Sequence, residues 1–382
     1  MPPPRRVGFD AIRALRNTTG LGNYSRGVLR ALRHIAPSLE LYLFTSRPPR
    51  AEFAELPADL GARVIRPRRW AALAPGLWRT YRAGCCAASY GVDVYHGLSH
   101  EIPRDLPRTG VPSVVTFHDL IYRRHPELFP MVDRQSYRWR YDWSARHADA
   151  IVAVSARTRD DLLEDLHVDP SRVTVIPPPR HPAFSATTTP GEREAARSKY
   201  VLPGEFLLSV GTLEPRKNHG LLLAAIEQLG RGDTPPLVLI GRDGGSESAL
   251  RAIIRSRGLA DRVRICTNVA TADLPALLQS ATLFLYPSTM EGFGMPIVEA
   301  LSAGIPVVAA GGGHLDAAGG PETRYLSPAD PAAWAAAIGD LLHDSARRDL
   351  MRTAGQEYAR QFDGDKVAAR LMSVYDAVTS SG

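Results

Sequence analysis

Short apolar runs rich in Val, Ile, Leu, Phe and Tyr recur along the chain, each closed by a glycine or a polar turn and followed by residues with helical spacing. In the first half the runs fall at 6–9, 39–44, 63–65, 93–96, 113–117, 150–154 and 173–176, and helical patterns near 22–35, 71–89, 131–147 and 156–166 separate them. This alternation is the signature of βαβ units and parallel sheets. At 177 the text changes to PPPRHPAFSATTTPG and then a polar helix, so a proline-rich linker is expected over 177–204. A second alternation begins after it, with strands over 206–210, 237–240, 263–266, 283–286 and 306–309, and helices over 217–229, 247–257, 272–280 and 294–303. The expected fold class is α/β, with two doubly wound parallel-sheet halves of nearly equal length.

Composition narrows the function classes. The 382 residues predict about two domains, and 44% apolar with 23% charged residues excludes fibrous and disordered classes. No run of eighteen apolar residues occurs and the start MPPPRRVGFD has no secretory apolar stretch, so a cytoplasmic location is expected. Cys85, Cys86 and Cys266 fit neither a disulfide framework nor a metal site and read as reduced thiols. The net charge of +6 is lopsided: residues 1–190 carry 27 basic and 18 acidic side chains, the remainder 19 and 22. Without an aromatic-basic or DNA-reading pattern this is no nucleic-acid signature, and nucleic acid is not expected as a partner. The segment 63–82 does concentrate six arginines around Trp70, Trp78 and Tyr81, a composition that suits an anionic membrane surface, with a solvated helix whose aromatics pack on the sheet as the alternative, and Pro75-Gly76 interrupts any continuous amphipathic helix.

In doubly wound sheets ligands bind beyond the carboxyl ends of the strands, so the chemistry is expected in the loops there. The strongest candidate is YPSTMEGFGMPIVE, 286–299, which leaves a strand and enters a helix. Gly292 and Gly294 let backbone approach a ligand, and the N–H groups of Phe293, Gly294 and Met295 are free donors at a helix start. Glu291 and Glu299 offer two ionised carboxylates to sugar and ribose hydroxyls. GTLEPRKN, 211–218, places Arg216 and Lys217 after another strand, a pair of cations that implies a phosphate ligand. In TTGLGNY, Gly20 and Gly22 offer N–H donors to a phosphate, with a plain turn as the alternative. In FHDL, His118 is placed to meet a sugar hydroxyl with Asp119 orienting its ring, against a purely structural histidine. Asp363 and Asp365 have metal-binding spacing, yet a turn and helix cap explain them better, and no metal is expected. Gly241–Gly245 and Gly311–His314 lack the terminal GK[ST] of a phosphate-binding P-loop.

Taken together, EGFGMPIVEALSAGIPVVA, GTLEPRKN, TGLGNY, FHDL and ADAIVAVSARTRDDL resemble the retaining glycosyltransferases of the GT-B fold, family four, over nearly the whole chain. The resemblance implies two Rossmann-like domains facing each other across a cleft: an acceptor-side domain at 1–177, a donor-binding domain at 178–362, and a closing helix at 363–382 that returns to the first. It implies that Glu299 holds the donor ribose and that Glu291 and the backbone from Phe293 to Met295 hold the transferred sugar. It further implies that Arg216 and Lys217 neutralise the departing diphosphate, that Gly20 and Gly22 touch that diphosphate, and that His118 lies beside the sugar. The expected donor is a GDP-, UDP- or dTDP-hexose, mannose being the sugar guessed, with no cofactor or metal. The expected acceptor is a hydroxyl of a glycan, a lipid-linked glycan or a small molecule, and peripheral membrane contact runs through the basic first domain. A nucleotide-sugar epimerase or a phosphorylase on the same fold is the alternative. Three segments depart from the family pattern: Thr212 stands where many members have arginine, PPPRHPAF replaces PNGVD, and GGGHLDAAGGPE replaces the usual loop after Ala310.

Overall fold

The computed structural model describes residues 5–67, 73–230, 232, 234–313 and 315–380. It divides into two compact units, one of residues 1–179 with 364–382 and the other of 180–363. In the first unit seven parallel strands, β1 Arg6–Asp10, β2 Glu40–Phe44, β3 Arg63–Ile65, β4 Val94–Gly97, β5 Ser113–Phe117, β6 Ala150–Ala153 and β7 Val173–Val175, lie in the order 3-2-1-4-5-6-7. The strand order reverses between β1 and β4, and the carboxyl ends flanking that point carry Asp10 and the segment after Gly97. The strands β4, β5 and β6 are buried throughout, as expected of parallel strands covered on both faces.

The second unit holds six parallel strands, β8 Leu207–Val210, β9 Leu237–Ile240, β10 Val263–Cys266, β11 Leu283–Tyr286, β12 Val307–Ala310 and β13 Arg324–Leu326, in the order 10-9-8-11-12-13. β13 is the strand that the apolar pattern does not announce: it is three residues long, half-buried, and exists because it pairs in register with β12. Here the order reverses between β8 and β11, and the loops that leave these two strands carry Arg216 with Lys217 and Glu291.

The boundary between the units falls at Pro179, two residues beyond the expected one, and the reason lies in packing. A Cβ on Gly27 would come within 3.0 Å of the Pro179 ring, which ties Pro179 to the first unit. Arg180 donates its N–H to the Phe362 carbonyl and its guanidinium to Asp363, which ties both to the second. The final helix Gly364–Ser380 packs on the helix Gly20–Ile35 of the first unit. Asp365 meets His34 there, so the two closely spaced aspartates are engaged separately. No group of three metal-ligating side chains occurs among the described residues.

Two helical expectations are corrected. The span 71–89 is broken into Pro75–Tyr81 and Ala83–Ser89, with Arg82 at the junction, and the span 131–147 contains a wide turn over Arg138–Asp142. The basic segment 63–82 does not form one exposed face. Trp78 is buried, and Arg79 turns inward to Asp10 at 2.6 Å and Glu101 at 2.8 Å. Arg68, Arg69 and Trp70 lie outside the described residues. Because Asp10 and Glu101 are both buried, removal of Arg79 leaves two carboxylates short of a cation. Arg79→Met is therefore expected to cost the first unit about 3–5 kcal/mol in urea unfolding, and a loss below about 1 kcal/mol would show that solvent compensates these carboxylates.

Candidate active site

The site in the second unit is built where the loops leaving β8 and β11 meet. Pro215–Lys217 forms a single 3₁₀ turn after β8, and Asn218, in the left-handed region at φ 53°, redirects the chain into the helix His219–Gln228. The loops are stitched together by Arg216, whose carbonyl accepts the Thr289 N–H at 2.9 Å and whose guanidinium donates to the Met290 carbonyl at 2.8 Å.

At the centre of this junction one oxygen of Glu291 collects four donors. Tyr286 donates at 2.9 Å, Ser288 at 2.6 Å, the Arg216 guanidinium lies at 3.0 Å, and Lys217 makes a short contact. Burial alone would raise this carboxyl, but Lys217 and Arg216 outweigh it and bring Glu291 down to about 2. Burial also lowers the Lys217 ammonium, and Glu291 opposes that loss. Arg216 pairs further with Glu214 at 2.6 Å. Part of the anion that the Arg216–Lys217 pair implies is thus supplied by the protein itself. Tyr286, Ser288 and Glu214 were not singled out in the sequence: a tyrosine ending an apolar strand reads as core, and only its hydroxyl at the carboxyl end reveals the role.

Glu299 behaves differently. It lies one turn inside the helix Met295–Ser302, partly exposed, and no described residue pairs with its carboxyl or donates to it. Burial pushes its carboxyl up to about 8, so the expectation of two ionised carboxylates is corrected: Glu291 is ionised and Glu299 holds its proton at neutral pH. The helix starts at Gly294, which at φ 105° occupies a conformation disfavoured for side chains, and a Cβ there would sit 2.7 Å from Leu315. Phe293, Gly294 and Met295 N–H groups have no acceptor among the described residues. Gly292 lies in the loop just before them. His314, in the loop after β12, is outside the described residues.

In the first unit the helix begins at Gly20, not after Gly22, so both glycines belong to its first turn. Space in front of Gly20 is open, whereas a Cβ on Gly22 would collide with the Asn17 carbonyl at 1.9 Å. His118 is buried, and its Nε2 lies 2.9 Å from the Leu98 carbonyl, which fixes the proton on that nitrogen and leaves Nδ1 as an acceptor. Asp119 was expected to orient the ring; its carboxylate accepts the Ile121 N–H at 3.1 Å, and the Leu98 carbonyl meets the imidazole. Burial lowers His118 to about 3, so the ring is neutral. Tyr24 presses edge-on against it at 4.5 Å. The Tyr24 hydroxyl is tied at 3.1 Å to Thr116, which lies 2.8 Å from His96, itself 2.6 Å from the hydroxyl of Tyr375 in the last helix. Of these supporting residues Tyr24 closes the TTGLGNY motif, while Thr116, His96 and Tyr375 lie in no motif that the sequence displays.

The comparisons with known proteins follow this geometry. Structures sharing the fold include a glycosyltransferase from Rickettsia africae, 15% identical with a TM-score of 0.78 over 99% of each chain, and HepE of Anabaena in complex with UDP-glucose, 19% identical with a TM-score of 0.74 over 99% of this chain and 100% of that one. They place both units in the GT-B glycosyltransferase fold. Residues 19–184 match the model of glycosyltransferase family 4, and 192–359 that of the glycosyl transferases group 1. The D-inositol 3-phosphate glycosyltransferase of Salinispora tropica is 32% identical over 70% of this chain and 59% of its own length. That of Jonesia denitrificans is 31% identical over 70% of this chain and 67% of its own. The O-antigen chain mannosyltransferase B of Escherichia coli is 28% identical over 94% and 96%. The chain belongs to the family 4, group 1 glycosyltransferases.

The charge state of Glu299 carries a pH dependence. In the unfolded chain this carboxyl loses its proton near its ordinary value of 4.5, while the folded protein retains it up to about 8. Between those values the folded state binds more protons, so this residue's contribution to stability falls as pH rises. Glu299→Gln is expected to match the parent in thermal midpoint below pH 4.5 and to exceed it by a margin that grows until about pH 8. A margin independent of pH would show that Glu299 is already ionised at neutrality.

Proposed function

We propose that this protein transfers a hexose from a nucleoside diphosphate sugar to a hydroxyl acceptor with retention of the anomeric configuration. The observation that carries the proposal is the pairing, around one helix start, of two cations held by a buried carboxylate with a second carboxyl that has no partner. In this scheme Glu299 bonds to the donor ribose hydroxyls, gaining the hydrogen bonds that offset its burial. The free N–H groups from Phe293 to Met295, with Glu291, hold the sugar. Arg216 and Lys217 stabilise the charge that grows on the diphosphate as the anomeric C–O bond breaks. The acceptor oxygen forms the new bond on the same face and its proton passes to the departing diphosphate. His118, Gly20 and Gly22 keep toward the donor the parts that the family resemblance gives them, and no metal is required by the scheme.

A nucleotide-linked donor is supported by HepE, which was solved with UDP-glucose, and mannose by the mannosyltransferase from Escherichia coli. No helix among the described residues is long and apolar enough to cross a membrane. Peripheral contact at the cytoplasmic face is favoured by the exposed side chains of Leu73, Leu77, Tyr81 and Trp139. Co-sedimentation with anionic vesicles at low salt, lost as ionic strength rises, is the expected result, and no binding at low salt would favour a soluble acceptor.

Thermal midpoints measured with UDP, GDP and dTDP are expected to rise with one of the three and thereby identify the base. Glu299→Ala should weaken that nucleotide and raise the donor KM; an unchanged KM counts against the ribose role. Replacing Arg216 or Lys217 by Ala should lower kcat on the order of 10²-fold or more, and full activity of the double variant would defeat the scheme.

A further inference from the structure

His96 occupies a place that favours an apolar side chain. It lies in β4, between β1 and β5 of the first sheet, and is fully buried there, where a polar ring carries a desolvation cost unless it is bonded. Burial lowers the imidazole to about 3, so the ring is neutral and offers one donor and one acceptor. Both are used. Nδ1 lies 2.6 Å from the Tyr375 hydroxyl of the last helix, and Nε2 lies 2.8 Å from Thr116 Oγ1 on the neighbouring strand β5.

Thr116 carries the connection further. Its Oγ1 also lies 3.1 Å from the hydroxyl of Tyr24, in the helix Gly20–Ile35. Tyr24 is 6% exposed and Thr116, His96 and Tyr375 are fully buried, so solvent does not replace a member that is removed. Thr116 and His96 each have a single proton to give, so a fully bonded row has all its donors pointing the same way. The four side chains are therefore oriented together.

The row ends against His118. The Tyr24 ring meets the His118 ring edge-on, at 4.5 Å between centroids and 90° between planes. Among the described residues the His118 imidazole makes one hydrogen bond, from Nε2 to the Leu98 carbonyl at 2.9 Å, and a ring held at one nitrogen can still pivot about that bond. His100 approaches the same ring at 5.3 Å, but its own bond is to the His118 backbone N–H and fixes the main chain. The edge of Tyr24 restrains the pivot, and Tyr24 is itself placed at its hydroxyl by Thr116, and through Thr116 by His96 and Tyr375.

We propose that Tyr375 is a positioning residue for His118: through His96, Thr116 and Tyr24 it holds the imidazole in the orientation in which Nδ1 faces the transferred sugar. The proposal deepens the transferase function proposed above and rests on it for the part given to His118. Tyr375 itself touches no substrate in this scheme.

The test follows the sugar and the ring separately. UDP-glucose, GDP-mannose and dTDP-glucose, and the three diphosphates without sugar, are titrated calorimetrically into the parent, Tyr375→Phe, His118→Ala and the double variant. Tyr375→Phe keeps the ring and removes one oxygen, and Tyr24→Phe, which cuts the row at its other end, is the second variant should the first fold poorly. The nucleotide sugar that binds is expected to bind Tyr375→Phe about three- to tenfold more weakly, the loss of one hydrogen bond, while its bare diphosphate binds unchanged. In the His118→Ala background Tyr375→Phe is expected to cost nothing further. A purely structural brace moves both ligands or neither, and its effect persists without His118. Nucleotide-sugar affinity equal to the parent's in Tyr375→Phe and Tyr24→Phe, or a loss that persists in the double variant, overturns the proposal. With histidine labelled by nitrogen-15, the ring signals of both His96 and His118 are expected to shift or broaden in Tyr375→Phe, and a change confined to His96 overturns the proposal as well. If no diphosphate binds, or if His118→Ala binds the nucleotide sugar as the parent does, the part given to His118 fails by itself, while the nitrogen-15 spectrum still decides whether Tyr375 positions the ring.

Discussion

The second unit depends on a carboxylate that is costly to bury. Glu291 is drawn down to about 2 although burial opposes its ionisation, because Lys217 and Arg216 stand against it and Tyr286 and Ser288 donate to the same oxygen. A buried charge of this kind persists only when every partner is in place. The contact therefore fixes the loop after β11 to the loop after β8, and it opposes the burial that lowers the Lys217 ammonium. The cations that the proposed transfer needs are positioned before any donor arrives, which is how electrostatic stabilisation becomes effective.

Glu299 is the counterpart of that economy. It sits on the same helix start, partly exposed, and has no partner to offset its desolvation. Eight positions separate two glutamates whose carboxyl groups differ from about 2 to about 8, and the difference comes entirely from what surrounds them. The protein supplies the partners of one carboxyl and leaves the other without any among the described residues. The first unit repeats the distinction. Asp10, Arg79, Glu101 and Arg140 neutralise one another, whereas Arg13 Nε and His100 Nδ1 have no hydrogen-bond partner among the described residues. His118 is held between a carbonyl and the edge of Tyr24, whose hydroxyl is reached through Thr116 and His96 from the last helix.

Much of the framework was legible along the chain. Twelve of the thirteen strands were located by their apolar runs, because a parallel strand buried on both faces leaves an uninterrupted signal. β13 escaped; it is three residues long and only partly buried, and it pairs in register with β12. The segment 63–82 left two readings open, a membrane-facing surface or a helix packed on the sheet. Arginines beside tryptophans read as a surface, yet Arg79 finds Asp10 and Glu101, residues 69 and 22 positions away, and goes inside.

The sequence by itself determined the two parallel α/β halves and the family to which the chain belongs, and it singled out the candidate loops, since glycine spacing and strand-to-helix junctions are local properties of the chain. Only the tertiary structure decided which glutamate is ionised, which arginine has a counter-ion and which histidine nitrogen bears the proton. Those are set by burial and by partners brought from distant positions, as when Lys217 reaches Glu291 across 74 residues and His96 reaches Tyr375 across 279. Local sequence fixes where a charged group is attached; its solvation and its neighbours fix what that group does.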